Sequence, residues 1–67
     1  MTPTHLLDFE TRWPRHDGHK ESAIIHELGI TPARYYQLLS RVARSIDGIA
    51  ADPITARIVR QRTREAA

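Results

Sequence analysis

The chain has 67 residues, no cysteine, and ten basic against eight acidic side chains. That length allows one small domain, near the lower limit for folding without a disulfide or a metal, and the missing cysteines exclude both a disulfide framework and a thiolate zinc site. Charge is unevenly spread: residues 1–30 hold three cations against five carboxylates, whereas residues 31–67 hold seven arginines, Arg64 among them, against three carboxylates.

The first helix is expected over about residues 3–13. Thr2 or Thr4 supplies a cap around Pro3, and Leu6, Phe9 and Trp13 recur at helical spacing until Pro14 stops the pattern. Met1-Thr2-Pro3-Thr4 lacks the basic-then-apolar pattern of a signal peptide, and no apolar run approaches the roughly 20 residues needed to cross a bilayer. The expectation is a soluble cytoplasmic chain. Pro14-Arg15-His16-Asp17-Gly18 reads as a turn with Asp17 as the next cap. A second helix over about 19–28 is expected to turn Ile24, Ile25 and Leu28 inward, closed by Gly29 in the left-handed region.

Thr31-Pro32 is a cap followed by a proline at the first helical position, a strong start signal for a third helix to about residue 45. Tyr35, Leu38, Leu39 and Val42 form its buried stripe, and Arg34, Gln37, Arg41 and Arg44 fall opposite. Asp47-Gly48 is read as a break. Asp52-Pro53 repeats the cap-then-proline signal for a fourth helix over about 53–65, with Ile54, Ile58 and Val59 on one side. The fold class is all-α, a single three- to four-helix domain over residues 1–67.

The second and third helices with their short connection fit a helix-turn-helix, in which a tight turn locks two helices so that one rests across a DNA backbone and the other enters the major groove. The motif needs apolar residues five and one before its glycine, and one, six and nine after it. With Gly29 as that glycine these are Ile24, Leu28, Ile30, Tyr35 and Leu38. The usual small residue four before the glycine is Ile25, a departure that points to a wider crossing or a tri-helical variant. The candidate DNA contacts are Thr31, Ala33, Arg34, Tyr36, Gln37 and Arg41. Gln37 suits adenine, Arg34 and Arg41 suit guanine, Ala33 suits a thymine methyl group, and Thr31 suits a phosphate oxygen. Arg44, Lys20 and the arginines of the fourth helix would hold the backbone and make binding salt-dependent. The same arginine row also fits a plain solvated face, and Tyr36 also fits the edge of the core.

His16, His19 and His26 lie near Asp17 and Glu27 but form no pair at i, i+4 spacing, so no metal is expected. No nucleophile–base set, glycine-rich phosphate loop or paired carboxylate stands out, and neither catalysis nor a cofactor is expected.

Leu6-Leu7-Asp8-Phe9-Glu10, Lys20-Glu21, Ala23-Ile24, Glu27-Leu28-Gly29-Ile30-Thr31, Arg34-Tyr35-Tyr36-Gln37-Leu38-Leu39 and Ala50-Ala51-Asp52-Pro53 together resemble a DUF3263-like family of small actinobacterial and actinophage proteins of unknown function. The resemblance implies an actinobacterial or phage source and a helix-turn-helix similar to the carboxy-terminal domain of sigma factors. It implies no particular activity. The residues lead to a sequence-specific reader of double-stranded DNA and transcriptional regulator, with Ile54, Ile58 and Val59 either the contact of a homodimer or packed on the chain's own core. The alternative is a small interaction factor docking on RNA polymerase or another regulator through the same helix, with Trp13 and Tyr36 at its centre.

Overall fold

Each helix of the computed structural model begins at a side-chain cap. The structure describes residues 1–66, with side chains through Thr63, so the charges of Arg64 and Glu65 lie outside the described set. Thr2 accepts from the His5 amide at 3.1 Å and opens α1, Pro3–Arg12. Asp17 accepts from the Lys20 amide at 3.0 Å and opens α2, which runs as α-helix over Gly18–Ala23 and ends as a π-helical turn over Ile24–Leu28. Thr31 accepts from the Arg34 amide at 3.1 Å ahead of α3, Pro32–Ala43. Ser45 caps α4, Ile46–Ala51, through the Gly48 amide, and Asp52 caps α5, Pro53–Ala66, through the Thr55 amide. Each such bond satisfies an amide that has no intrahelical acceptor. The described residues contain five helices and no strand, so the all-α reading holds with one helix more than expected.

The added helix is α4, and it corrects the break read at Asp47-Gly48. Gly48 lies inside a helical turn because the missing side chain lets α4 rest on the end of α3: a Cβ there would sit 1.9 Å from the Val42 carbonyl oxygen. A glycine that would loosen an exposed helix here permits a close backbone approach.

The core gathers Leu6, Leu7 and Phe9 of α1, Ala23 and Ile24 of α2, Tyr35, Leu39 and Ala43 of α3, and Ala56 and Val59 of α5. Phe9 meets the Tyr35 ring edge-on at 5.3 Å. The alanines at 43 and 56 leave room for α3 and α5 to approach, and Arg60 fastens them by donating to the Ala43 carbonyl at 2.7 Å. Trp13, Leu28, Ile30, Leu38 and Val42 cover the edges, half-buried.

One inward expectation is overturned, and the set on α5 expected as a dimer contact divides. Ile25 is 51 % exposed, because the wider π turn rotates it away from the stripe that holds Ile24 and Leu28. The apolar set on α5 divides: Val59 is core, whereas Ile54 is 73 % and Ile58 is 41 % exposed. Val59 therefore cannot serve as a dimer contact.

Candidate functional site

The π turn of α2 ends at Gly29, whose φ of 69° lies in the left-handed region and whose amide bonds back to the Ile25 carbonyl at 3.1 Å. Ile30 turns partly into the core, Thr31 caps, and α3 leaves at once. With Tyr35, Leu39 and Ala43 facing inward, the helical period places Thr31, Ala33, Arg34, Gln37, Arg41 and Arg44 on the exposed side. Six of the eight expected contacts thus share one surface. Among the described residues neither Arg34 nor Arg41 enters an ion pair, and an unpaired guanidinium is open to a phosphate or a guanine edge. Arg44 donates to the Ser40 carbonyl at 3.1 Å and to the Ser40 hydroxyl, which lays it along the helix. The Thr31 hydroxyl accepts from Arg34 N–H and keeps its own proton to donate.

Two expected contacts stand elsewhere. Lys20 is completely buried, its ammonium 2.6 Å from Glu10 Oε1, so it is corrected from phosphate contact to core ion pair. Tyr36 is half-buried on the side of α3 that faces the α1–α2 connection, its hydroxyl 2.9 Å from His16 Nδ1 and its ring edge-on to Tyr35 at 5.1 Å.

Both belong to a polar cluster that the sequence reading passed over. Glu10, 3 % exposed, accepts from the Lys20 ammonium and from the Tyr35 hydroxyl at 2.7 Å through Oε1, and from Arg62 at 2.9 Å through Oε2. Lys20 also lies 3.1 Å from His16 Nδ1, and its ammonium faces the Tyr35 and Tyr36 rings at 5.7 and 5.5 Å. Burial pulls the Lys20 ammonium below its ordinary range while the Glu10 carboxylate holds it up. Burial, reinforced by the bond to Glu10, pushes the Tyr35 hydroxyl far up, so it stays protonated and donates. Loss of water around the ring, and then the Lys20 ammonium, lower His16. A signal for the cluster was present: Glu10 follows Leu6 and Leu7 at i+4 and i+3, and Lys20 precedes Ile24 at i−4, so both charges stand on apolar stripes.

Beside this cluster lies a groove of about 730 Å³ between residues of α3 (Tyr36, Leu39, Ser40) and of α5 (Val59, Arg62, Thr63), with the Glu10, His16 and Glu21 side chains also in its lining. Among the described residues no three His, Asp or Glu side chains converge as a metal-holding group, and no helix is long and apolar enough to cross a membrane.

A family model described as "Protein of unknown function (DUF3263)" matches residues 2–67. Nothing among curated proteins or among solved structures matches the chain.

Proposed function

The chain belongs to the DUF3263 family, and because that family's description names no activity, we propose from the geometry that it reads double-stranded DNA by laying α3 in the major groove. One observation carries this reading: Arg34 and Arg41, without an ion-pair partner among the described residues, occupy with Gln37 and Ala33 the solvent side of the helix that follows the left-handed turn at Gly29. Arg34 and Arg41 match the acceptor pair of guanine, Gln37 the donor and acceptor of adenine, and Ala33 a thymine methyl group. Thr31 and Arg44 hold phosphates. Lys20 and Tyr36 have no part in the contact. The finer resemblance to the promoter-reading domain of sigma factors, an actinobacterial or phage source, a cytoplasmic site of action and a role in transcriptional regulation belong to the same proposal.

One domain of this size covers little DNA, so useful affinity calls for a second copy. Exposed Ile54 and Ile58 on α5, with Ile46 and Ile49 on α4, supply an apolar surface for it. Sedimentation equilibrium should give a dimer that Ile54→Lys dissociates.

Selection from a random duplex library with the purified chain tests the reading. An enriched motif is expected, and Gln37→Ala or Arg41→Ala should each weaken binding to it by about 1–3 kcal/mol with the circular dichroism unchanged. Affinity should fall steeply as salt rises. No enriched motif, together with unchanged affinity in both variants, would refute it.

The exposure of Ile46 at 87 % and Ile54 at 73 % favours a second reading, a docking factor for RNA polymerase or another regulator. It centres on these isoleucines, since Trp13 and Tyr36 are half-buried at the core edge. Partner binding that persists at high salt, with no DNA motif, would support it.

A further inference from the structure

Thr11 and Thr63 each donate a hydroxyl proton to the carbonyl four residues back, of Leu7 and Val59, at 2.9 Å, which is the ordinary habit of a hydroxyl on a helix. Ser40, in the body of α3, makes no such bond among the described residues. Its hydroxyl oxygen accepts instead from Arg44 Nη1, one turn further on.

That arrangement fixes a guanidinium at two points. Nη1 carries two hydrogens and meets two acceptors, the Ser40 hydroxyl and the Ser40 carbonyl at 3.1 Å. The carbonyl bond belongs to the helix end: the Arg44 amide turns to the Arg41 carbonyl at 3.2 Å, so the Ser40 carbonyl loses its expected amide and the Arg44 side chain supplies a donor. The hydroxyl bond is an addition that closing the helix does not require. With Nη1 engaged, the opposite edge of the guanidinium, where Nε–H stands beside Nη2–H, has no partner among the described residues. Two parallel donors on one edge match two oxygens of a phosphate. Arg44 is exposed on the same side of α3 as Gln37 and Arg41.

We infer that Ser40 is a positioning residue for the DNA contact: it holds Arg44 in place beforehand, so that the Nε and Nη2 edge is left open to a backbone phosphate. The inference rests on the DNA reading and adds to it the residue that prepares its phosphate contact. A long side chain gives up rotamer freedom when a ligand immobilises it, and it gives up less where the protein already holds it. Holding one arginine in advance is worth about two- to tenfold in affinity. Ser40 does not touch the DNA in this arrangement; it acts through Arg44.

The test uses the intact chain and the duplex enriched from the random library. Ser40 is half-buried at the edge of the groove, so Ser40→Ala removes the hydroxyl without opening the core and keeps the carbonyl bond. It should weaken binding about two- to tenfold by fluorescence anisotropy, and Ser40→Thr, which restores a hydroxyl, should bind like the native chain. Arg44→Ala should lower the slope of log affinity against log salt by about 0.9, the mark of one lost phosphate contact. In that background Ser40→Ala should have no further effect, because the group it positions is gone. In the free chain, nitrogen relaxation should find Arg44 Nε more ordered than Arg41 Nε, and Ser40→Ala should erase the difference. Native affinity in Ser40→Ala, the same loss with and without Arg44, or an Arg44 Nε as mobile as that of Arg41 would each overturn the inference and leave the DNA reading standing. Failure to enrich any duplex would remove both.

Discussion

Two glycines carry different burdens. Gly29 needs its backbone freedom, with φ at 69°, but a Cβ there would meet nothing within 4 Å; Gly48 needs only its missing side chain, because the Val42 carbonyl occupies that space. Gly29→Ala should cost about 1–2 kcal/mol of backbone strain. Gly48→Ala should cost more, upward of about 3 kcal/mol, since the obstacle is backbone and cannot rotate away. Urea midpoints for the two variants check that order. His16 gives a pH prediction. Its pKa is lowered in the folded chain, by lost hydration and by Lys20, below an ordinary value of 6.5. The unfolded chain thus takes up the proton first as pH falls. The stability from neutral His16 is complete above that ordinary value and drains away below it. The urea midpoint of the native chain should fall between about pH 7.5 and about pH 5.5, and His16→Gln should flatten that fall. An equal fall in the variant would assign it to other groups.

At the scale of elements, the end of α2 shows how one turn redirects a face. Regular α-helix would keep Ile24, Ile25 and Leu28 on neighbouring sides. The π turn sends Ile25 to solvent and leaves Ile24 with no exposure at all. Ile24→Ala should therefore cost about 2–5 kcal/mol by opening a core cavity, whereas Ile25→Ala should stay near 0.5 kcal/mol, as at an ordinary surface position. Equal costs in thermal denaturation would mean that α2 is regular in solution. The turn also accounts for Ile25 standing where a helix-turn-helix usually places a small residue: the side chain does not enter the helix crossing, so it does not obstruct it.

Across the whole molecule, Glu10 joins three helices at one carboxylate, taking hydrogens from Lys20 of α2, Tyr35 of α3 and Arg62 of α5. Breaking a buried pair leaves the partner charge stranded, which costs more than the pair itself contributes. Glu10→Ala strands Lys20 at zero exposure and should cost about 3–5 kcal/mol, most of the stability a domain of this size possesses. A thermal melt of the variant lacking a cooperative transition near the native midpoint is the expected result. The double change of Glu10→Leu with Lys20→Met should recover much of the loss, because an apolar pair strands no charge.

What the chain settled by itself is its punctuation and one surface. Thr2, Asp17, Thr31 and Asp52 cap helices, Gly29 closes α2, and the arginine-bearing side of α3 faces outward, because caps, turns and helical period are short-range chemistry written within a few residues. Tertiary contact decided the rest. Gly48 became helical because Val42 lies against it, Lys20 went inside because Glu10 was there to receive it, and Val59 parted from Ile54 and Ile58 because only one side of α5 meets α3. Whether a residue breaks a helix, meets solvent or joins the core depends on what stands opposite it, and in each of these cases that partner is distant in sequence or sits across a turn.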